Sequence, residues 1–192
     1  MKLIIAFMGM LLPILAGAQS PPVKALSIGD AVPDITITDV YNYPSSTIHL
    51  SDMKGKLVIL DFWATWCGSC IHAFPKMDSL QKKFSNNLQI ILINNNGGNG
   101  NNEEKVKDFF RKTKLKSKVA FMLPNSTQNN PLLLQLFPHT FIPHYVWIGP
   151  EEKVIAITNS AEVTAENIQA VISRRRIKLP VKVDSLKFHP QN

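Results

Sequence analysis

Leu57-Val58-Ile59-Leu60-Asp61-Phe62-Trp63-Ala64-Thr65-Trp66-Cys67-Gly68-Ser69-Cys70 is the most informative stretch of this 192-residue chain. From Leu57 to Trp63 it is apolar at every position but one, the pattern of a central strand covered on both faces. Asp61 is the exception, an acid where burial should exclude one. After Cys67 the apolar period changes from two to about 3.6. Ile71, Phe74, Met77, Leu80 and Phe84 recur at helical spacing, so a buried strand passes into a helix close to Cys67. Pro75 lies inside that helix and, lacking an amide donor, is expected to kink it.

Working outward, the rest of the chain supplies the partners such a strand needs. Ile35 to Thr38 alternates and is β-branched throughout, which predicts a short strand. Asn42 to Ser46 reads as a turn and Thr47 to Leu50 as extended. Leu88 to Ile93 is a second buried strand, followed by Asn94 to Asn102, which contains only asparagine and glycine and reads as a loop. Glu103 to Lys114 is a helix with acids at its start and bases at its end. Val119 to Met122 predicts a short strand and Pro131 to Phe137 a short helix. Tyr145 to Ile148 and Val154 to Thr158 flank Gly149-Pro150-Glu151-Glu152 as a tightly turned strand pair. Thr164 can cap a last helix that turns Ile168, Val171 and Ile172 to the sheet. This order implies an α/β fold: a central mixed sheet with parallel members, flanked by helices and closed by an antiparallel pair.

Composition sets the limits. With 45% hydrophobic and 18% charged residues the chain can bury a core, which excludes disorder as its main state. Two cysteines exclude a disulfide-dense scaffold. The formal charge of +7 permits an anionic partner without arguing for nucleic acid. Met1-Lys2, the apolar run Leu3 to Ala16 and the small residues Ala16-Gly17-Ala18 predict a signal peptide over residues 1–18. The mature protein is therefore expected to begin at Gln19 and to work outside the cytoplasm, anchored to the membrane if the signal stays uncleaved. Residues 19–27 read as an exposed lead-in, 28–174 as the folded domain and 175–192 as a tail or linker.

Cys67-Gly68-Ser69-Cys70 sits at the strand-to-helix junction. Two thiols at this spacing can close a small disulfide ring. Cys67, at the helix N-terminus, is the sulfur whose thiolate the unpaired amides and the helix dipole favour. Cys70, one turn in, is placed to resolve a mixed disulfide. Asp61, six residues before Cys67, is expected beneath the sulfurs, where burial raises its proton affinity and suits it to relay a proton. Trp66 should shield the thiol and offer an apolar contact surface; Trp63 should belong to the core.

The segment Asp61 to Cys70, with Pro75 five residues on, resembles the active-site segment of thioredoxin-fold thiol–disulfide oxidoreductases. Ile28-Gly29-Asp30-Ala31-Val32-Pro33-Asp34 and Leu50-Ser51-Asp52-Met53-Lys54-Gly55-Lys56 are similar to the exported TlpA/ResA-like (redoxin) branch. That resemblance implies an N-terminal β-hairpin before the thioredoxin core and a helix–strand insertion in its middle, which Glu103 to Met122 fits. It also implies a cis-proline opposite the disulfide, and Phe141-Ile142-Pro143-His144 occupies the matching place. Pro143 would then position the partner chain, Ile142 would pair with it through its backbone, and Trp66, Gly68 and Ser69 would face it. Two departures stand out: Ser69 replaces the proline common in this motif, and Ala73 stands where ResA-like members often carry an acid.

The resemblance implies disulfide exchange with envelope proteins in the periplasm. It favours the reductase direction, with electrons from a membrane thiol transporter of the DsbD/CcdA type. The chain would act as a monomer, with no dissociable cofactor, no metal and no nucleic acid. Other chemistries lack residues: a structural zinc site needs about four ligands, haem attachment needs histidine where Ile71 stands, and a peroxiredoxin would carry threonine at Ala64. The alternative that keeps its residues is a thioredoxin-like Cu(I) chaperone using Cys67, Cys70 and His144. His72, His139 and His144 read as surface or cleft residues. The bases from Lys105 to Lys118 read as a solvated face, and Arg174-Arg175-Arg176 as cations at a helix end.

Overall fold

The computed structural model describes residues 23–94, 103–113, 120–122 and 131–182. The expected signal peptide, most of the asparagine–glycine loop and the tail beyond Lys182 lie outside the described residues. Strands β4 (Leu57–Trp63) and β5 (Leu88–Asn94) run parallel in full register from Leu57↔Leu88 to Trp63↔Asn94. Every residue of both is buried, which explains their continuous apolar sequence. Helix α1 (Gly68–Lys83) makes the crossover between them. Strand β7 (His144–Ile148) pairs antiparallel with β4, and β8 (Val154–Thr158) antiparallel with β7 through the Gly149–Glu152 turn. That turn needs its glycine, because a Cβ at Gly149 would lie 2.9 Å from the Ile155 side chain.

Helix α2 (Glu103–Thr113) and strand β6 (Ala120–Met122) form the expected insertion, with β6 parallel to β5. The N-terminal hairpin is more divided than the resemblance implies. Strands β1 (Thr36–Thr38) and β3 (Thr47–His49) pair as a separate two-stranded sheet. Between them β2 (Val40–Tyr41) leaves to pair with β6 at the edge of the main sheet, whose order is β2-β6-β5-β4-β7-β8. Asp39 (φ 55°) and Asn42 (φ 57°) bracket β2 in left-handed conformations, which Asp and Asn tolerate well.

Strand alternation divides the interior in two. Leu57, Ile59 and Trp63 of β4 and Tyr145 and Trp147 of β7 face α1, α2 and α4 (Ala165–Ile172). Val58, Leu60 and Phe62 of β4 and Val146 and Ile148 of β7 face the β1–β3 pair and α3 (Pro131–Leu136). Thr164 caps α4, its hydroxyl accepting from the Asn167 amide at 3.2 Å. The chain stays on the domain after α4: Ile177 and Leu179 pack on the first cluster, and the Lys182 amide donates to Ile157 O at 2.9 Å. Among the described residues no helix is long and apolar enough to cross a membrane.

Candidate active site

The end of β4 delivers the chain to the site. Beyond Trp63, Ala64 O accepts from the Cys67 amide at 3.0 Å, and α1 begins at Gly68 with Cys67 as its N-cap. The Cys67 sulfur accepts from the Cys70 amide at 3.2 Å, so it stands at the positive end of the helix dipole. Cys67 and Cys70 are joined by a disulfide with Cα atoms 5.3 Å apart. Cys67 is 6% exposed and Cys70 fully buried, so of the pair only Cys67 reaches the surface at all. Ser69 Oγ lies 3.6 Å from the Cys67 sulfur. A side chain at Gly68 would meet open space, and Trp66, 55% exposed, presents its ring beside the disulfide segment. Pro75 sits within α1, which runs on past it to Lys83.

Asp61 occupies the β4 face that carries Cys67 and Cys70 in its core cluster. It is wholly buried, and neither carboxylate oxygen has a hydrogen bond among the described residues. Burial pushes its pKa well above the usual aspartate value; the Tyr145 hydroxyl and the Lys76 ammonium only partly oppose this. Tyr145 is Asp61's cross-strand partner in the β4–β7 register, and its buried hydroxyl approaches the carboxyl without closing a hydrogen bond. Burial likewise holds the Tyr145 phenol above its ordinary range, and the neighbouring carboxyl adds to this. Lys76, on α1, donates to Ser160 O and has its pKa lowered by burial, with Glu162 and Asp61 opposing. Ala73 is buried among the apolar residues around the cysteines, leaving Asp61 as the carboxyl on that face of β4.

The Ile142–Pro143 bond is cis, as the resemblance implies. Because Phe62 pairs with His144, this loop lies at the same end of the sheet as the disulfide segment, and Ile142 packs against both core clusters. Phe141 is 53% exposed there, an open apolar ring at the same end of the sheet as Trp66. Lys182, from the segment after α4, donates through Nζ to Phe141 O and to Pro143 O (3.1 Å), with His144 Nδ1 at 3.4 Å.

His144 corrects the sequence reading. It is buried, and its ring stacks on His139 (4.5 Å between centroids, 13° between planes) and meets Phe62 edge-on at 5.6 Å. These contacts lie on the second cluster's face, whereas Cys67 and Cys70 belong to the first. The sheet therefore separates His144 from the sulfurs, and the Cys67–Cys70–His144 copper site does not assemble. Sequence proximity to Pro143 misled here, because one strand position moves a side chain to the other face. Tyr145, Lys76 and Lys182 were missed. The strand period alone could have marked Tyr145; nothing local marks the other two.

The AhpC/TSA family profile matches residues 28–135. The chain is 30% identical over 135 residues to the thiol-disulfide oxidoreductase ResA of Bacillus subtilis (strain 168), covering 70% of this chain and 68% of that protein. It is 38% identical over 65 residues to the thioredoxin-like protein YneN of the same organism, covering 34% of this chain and 36% of that one. Against the first curated relatives it matches, the chain spans about a third to a half of their length, from 32% to 53%. In three dimensions it resembles the thioredoxin domain of a thiol-disulfide oxidoreductase from Bacteroides vulgatus (TM-score 0.57, 21% identity, 78% of this chain and 98% of that one). It also resembles a thioredoxin-family thiol:disulfide interchange protein from Chlorobium tepidum (TM-score 0.55, 20% identity, 81% and 99%). These solved structures support the thioredoxin-like fold, and the profile match, with ResA beside it, fixes the lineage: this chain belongs to the AhpC/TSA family.

Proposed function

We propose that this protein is a thiol–disulfide oxidoreductase that exchanges disulfides with envelope proteins through Cys67 and Cys70, favouring the reductase direction. The supporting observation is the disulfide itself, with its Cys67 sulfur at a helix N-terminus and a cis-proline loop at the same end of the sheet. In the reductive direction the Cys67 thiolate attacks a partner disulfide, forming a mixed disulfide and releasing one partner thiolate. Cys70 then gives up its proton and attacks the Cys67 sulfur; the Cys67–Cys70 bond forms, the mixed bond breaks, and the second partner thiolate leaves. Two electrons have passed to the partner. Asp61, its pKa raised by burial, takes the Cys70 proton and returns it when the reaction runs backward. Trp66, Gly68 and Ser69 face the incoming chain, and Ile142 pairs with it along its backbone while Pro143 keeps the loop clear of the sulfurs. No dissociable cofactor enters these steps. The setting is the periplasm, reached through the residue 1–18 signal, with electrons from a membrane thiol transporter of the DsbD/CcdA type.

Equilibration with glutathione or dithiothreitol tests the reading. A Cys67–Cys70 potential near thioredoxin's, about −270 mV, supports a reductase, and one near DsbA's, about −120 mV, reverses the direction. In the same assay Cys70→Ser should accumulate mixed disulfides through Cys67. If Cys67→Ser traps partners through Cys70 instead, the two roles are exchanged.

A further inference from the structure

Arg174-Arg175-Arg176 lies outside the site that holds Cys67 and Cys70. It lines a cleft of about 610 Å³ at the other end of the sheet, within the size range of small-molecule sites. Gly55, Asn87 and Gly149, which also line it, stand just outside β4, β5 and β7 at the ends remote from Cys67. The seven residues of β4 put roughly 20 Å between the two ends. Lys153 adds a fourth cation from the turn before β8, against one carboxylate, Glu151. Among the described residues none of the four cations makes an ion pair. Beneath them the cleft is apolar, lined by Ile155, Val171, Ile172 and Ile177.

The helix dipole accounts for a cation after α4, but not for three arginines joined by a lysine from another element. The backbone is informative too. Arg174 N donates to Val171 O and Arg175 N to Ala170 O, both at 2.9 Å or less, closing α4 with a Schellman motif. Its left-handed position, normally glycine's, is held by Arg174 at φ 55°. Arg174 thus stands where glycine would be conformationally cheaper.

We propose that this cleft binds a free single-chain amphipathic anion, its apolar body on the four aliphatic side chains and its carboxylate or phosphate head on the arginines. Guanidinium forks match both head groups in a two-point geometry. Isothermal titration of the full-length oxidised protein with dodecanoate and with dodecyl phosphate, each below its micelle concentration, provides the test. One equivalent of either is expected to bind saturably, and inorganic phosphate much more weakly. Arg175→Ala and Arg176→Ala should each weaken binding about tenfold, the loss of one charge-assisted contact. Arg174→Gly should weaken it similarly without lowering Tm, which separates lost binding from lost folding. Exchange through Cys67 and Cys70 should be unchanged in all three. The proposal is overturned if neither amphiphile saturates, if the variants bind as tightly, or if inorganic phosphate binds as well as its dodecyl ester. Retention by anionic vesicles or an acidic peptide without binding of the free amphiphiles overturns it as well, and would make this face a membrane or protein contact.

Discussion

At the scale of single residues, Asp61 is where sequence and chemistry meet most directly. An isolated acid in a seven-residue apolar strand is visible without a structure, because burial of a carboxylate is costly enough to need a reason. Its surroundings are not visible: Tyr145 lies 84 residues away and reaches Asp61 only through the antiparallel register of β4 and β7. The raised pKa carries a sign. Below the ordinary aspartate value of 3.8 the folded and unfolded states both hold the proton, so burial costs nothing extra in charge. As pH rises from there through the folded-state pKa, the unfolded chain releases its proton first and stability falls. The loss is about 1.4 kcal/mol for each pH unit that separates the folded and unfolded pKa values. Asp61→Asn should therefore have the wild-type Tm near pH 4 and a higher Tm at pH 7 to 8. Its exchange rate at neutral pH should drop about a hundredfold, as for loss of a general acid–base group. Thermal melts across this pH range, paired with stopped-flow oxidation of the dithiol, check both; parallel Tm curves would remove the buried-proton account.

At the scale of elements, most segments were legible, the short β1, β3, β6 and α3 among them, and the two-residue β2 was not. The strand–helix–strand run β4–α1–β5 follows from the change of period at Cys67, because its faces are continuously apolar. Strand β2 was missed because two residues cannot display a period; its place is fixed by Asp39 and Asn42 turning left-handed on either side. Gln81 gave no signal either, since a polar residue late in a helix ordinarily faces water. Here it is buried and completes the sheet where β6 does not reach: Nε2 donates to Leu88 O at 2.8 Å and Oε1 accepts from the Ile90 amide at 2.7 Å. Gln81→Leu keeps the bulk but leaves two buried backbone groups unpaired. A loss of about 2–4 kcal/mol in urea unfolding is expected, against a much smaller loss for Gln81→Glu at low pH, where the protonated carboxyl can still bond. Equal losses for the two would show that packing, not hydrogen bonding, fixes α1 to β5.

At the scale of the whole molecule, the sheet separates two ends, with the disulfide at one and the arginine cleft at the other. It also separates two faces, with Asp61 on one and His144 on the other. The cis-proline loop was readable from Phe141 to His144, but its fastening was not, because Lys182 comes from a stretch whose sequence reads only as a tail. Lys182→Met removes the ammonium and keeps the stem. Faster amide hydrogen exchange from Phe141 to His144 is expected, with α1 unchanged and a stability loss of about 1 kcal/mol. Unchanged exchange in the loop would show that Lys182 rests there without holding it. That fastening gives the chain's two directions unequal mechanical standing. Upstream, the Leu26 amide is tied to Leu136 O, at the end of α3, whereas Lys182 grips the carbonyls on either side of Ile142. A load applied downstream of Lys182, by an affinity tag, a surface linkage or an optical trap, should reach the cis-proline loop through these two bonds. On the proposed function, exchange through Cys67 and Cys70 is expected to respond to a tether attached downstream of Lys182 and not to one attached upstream of Leu26, a difference that rates of the two immobilised forms would check.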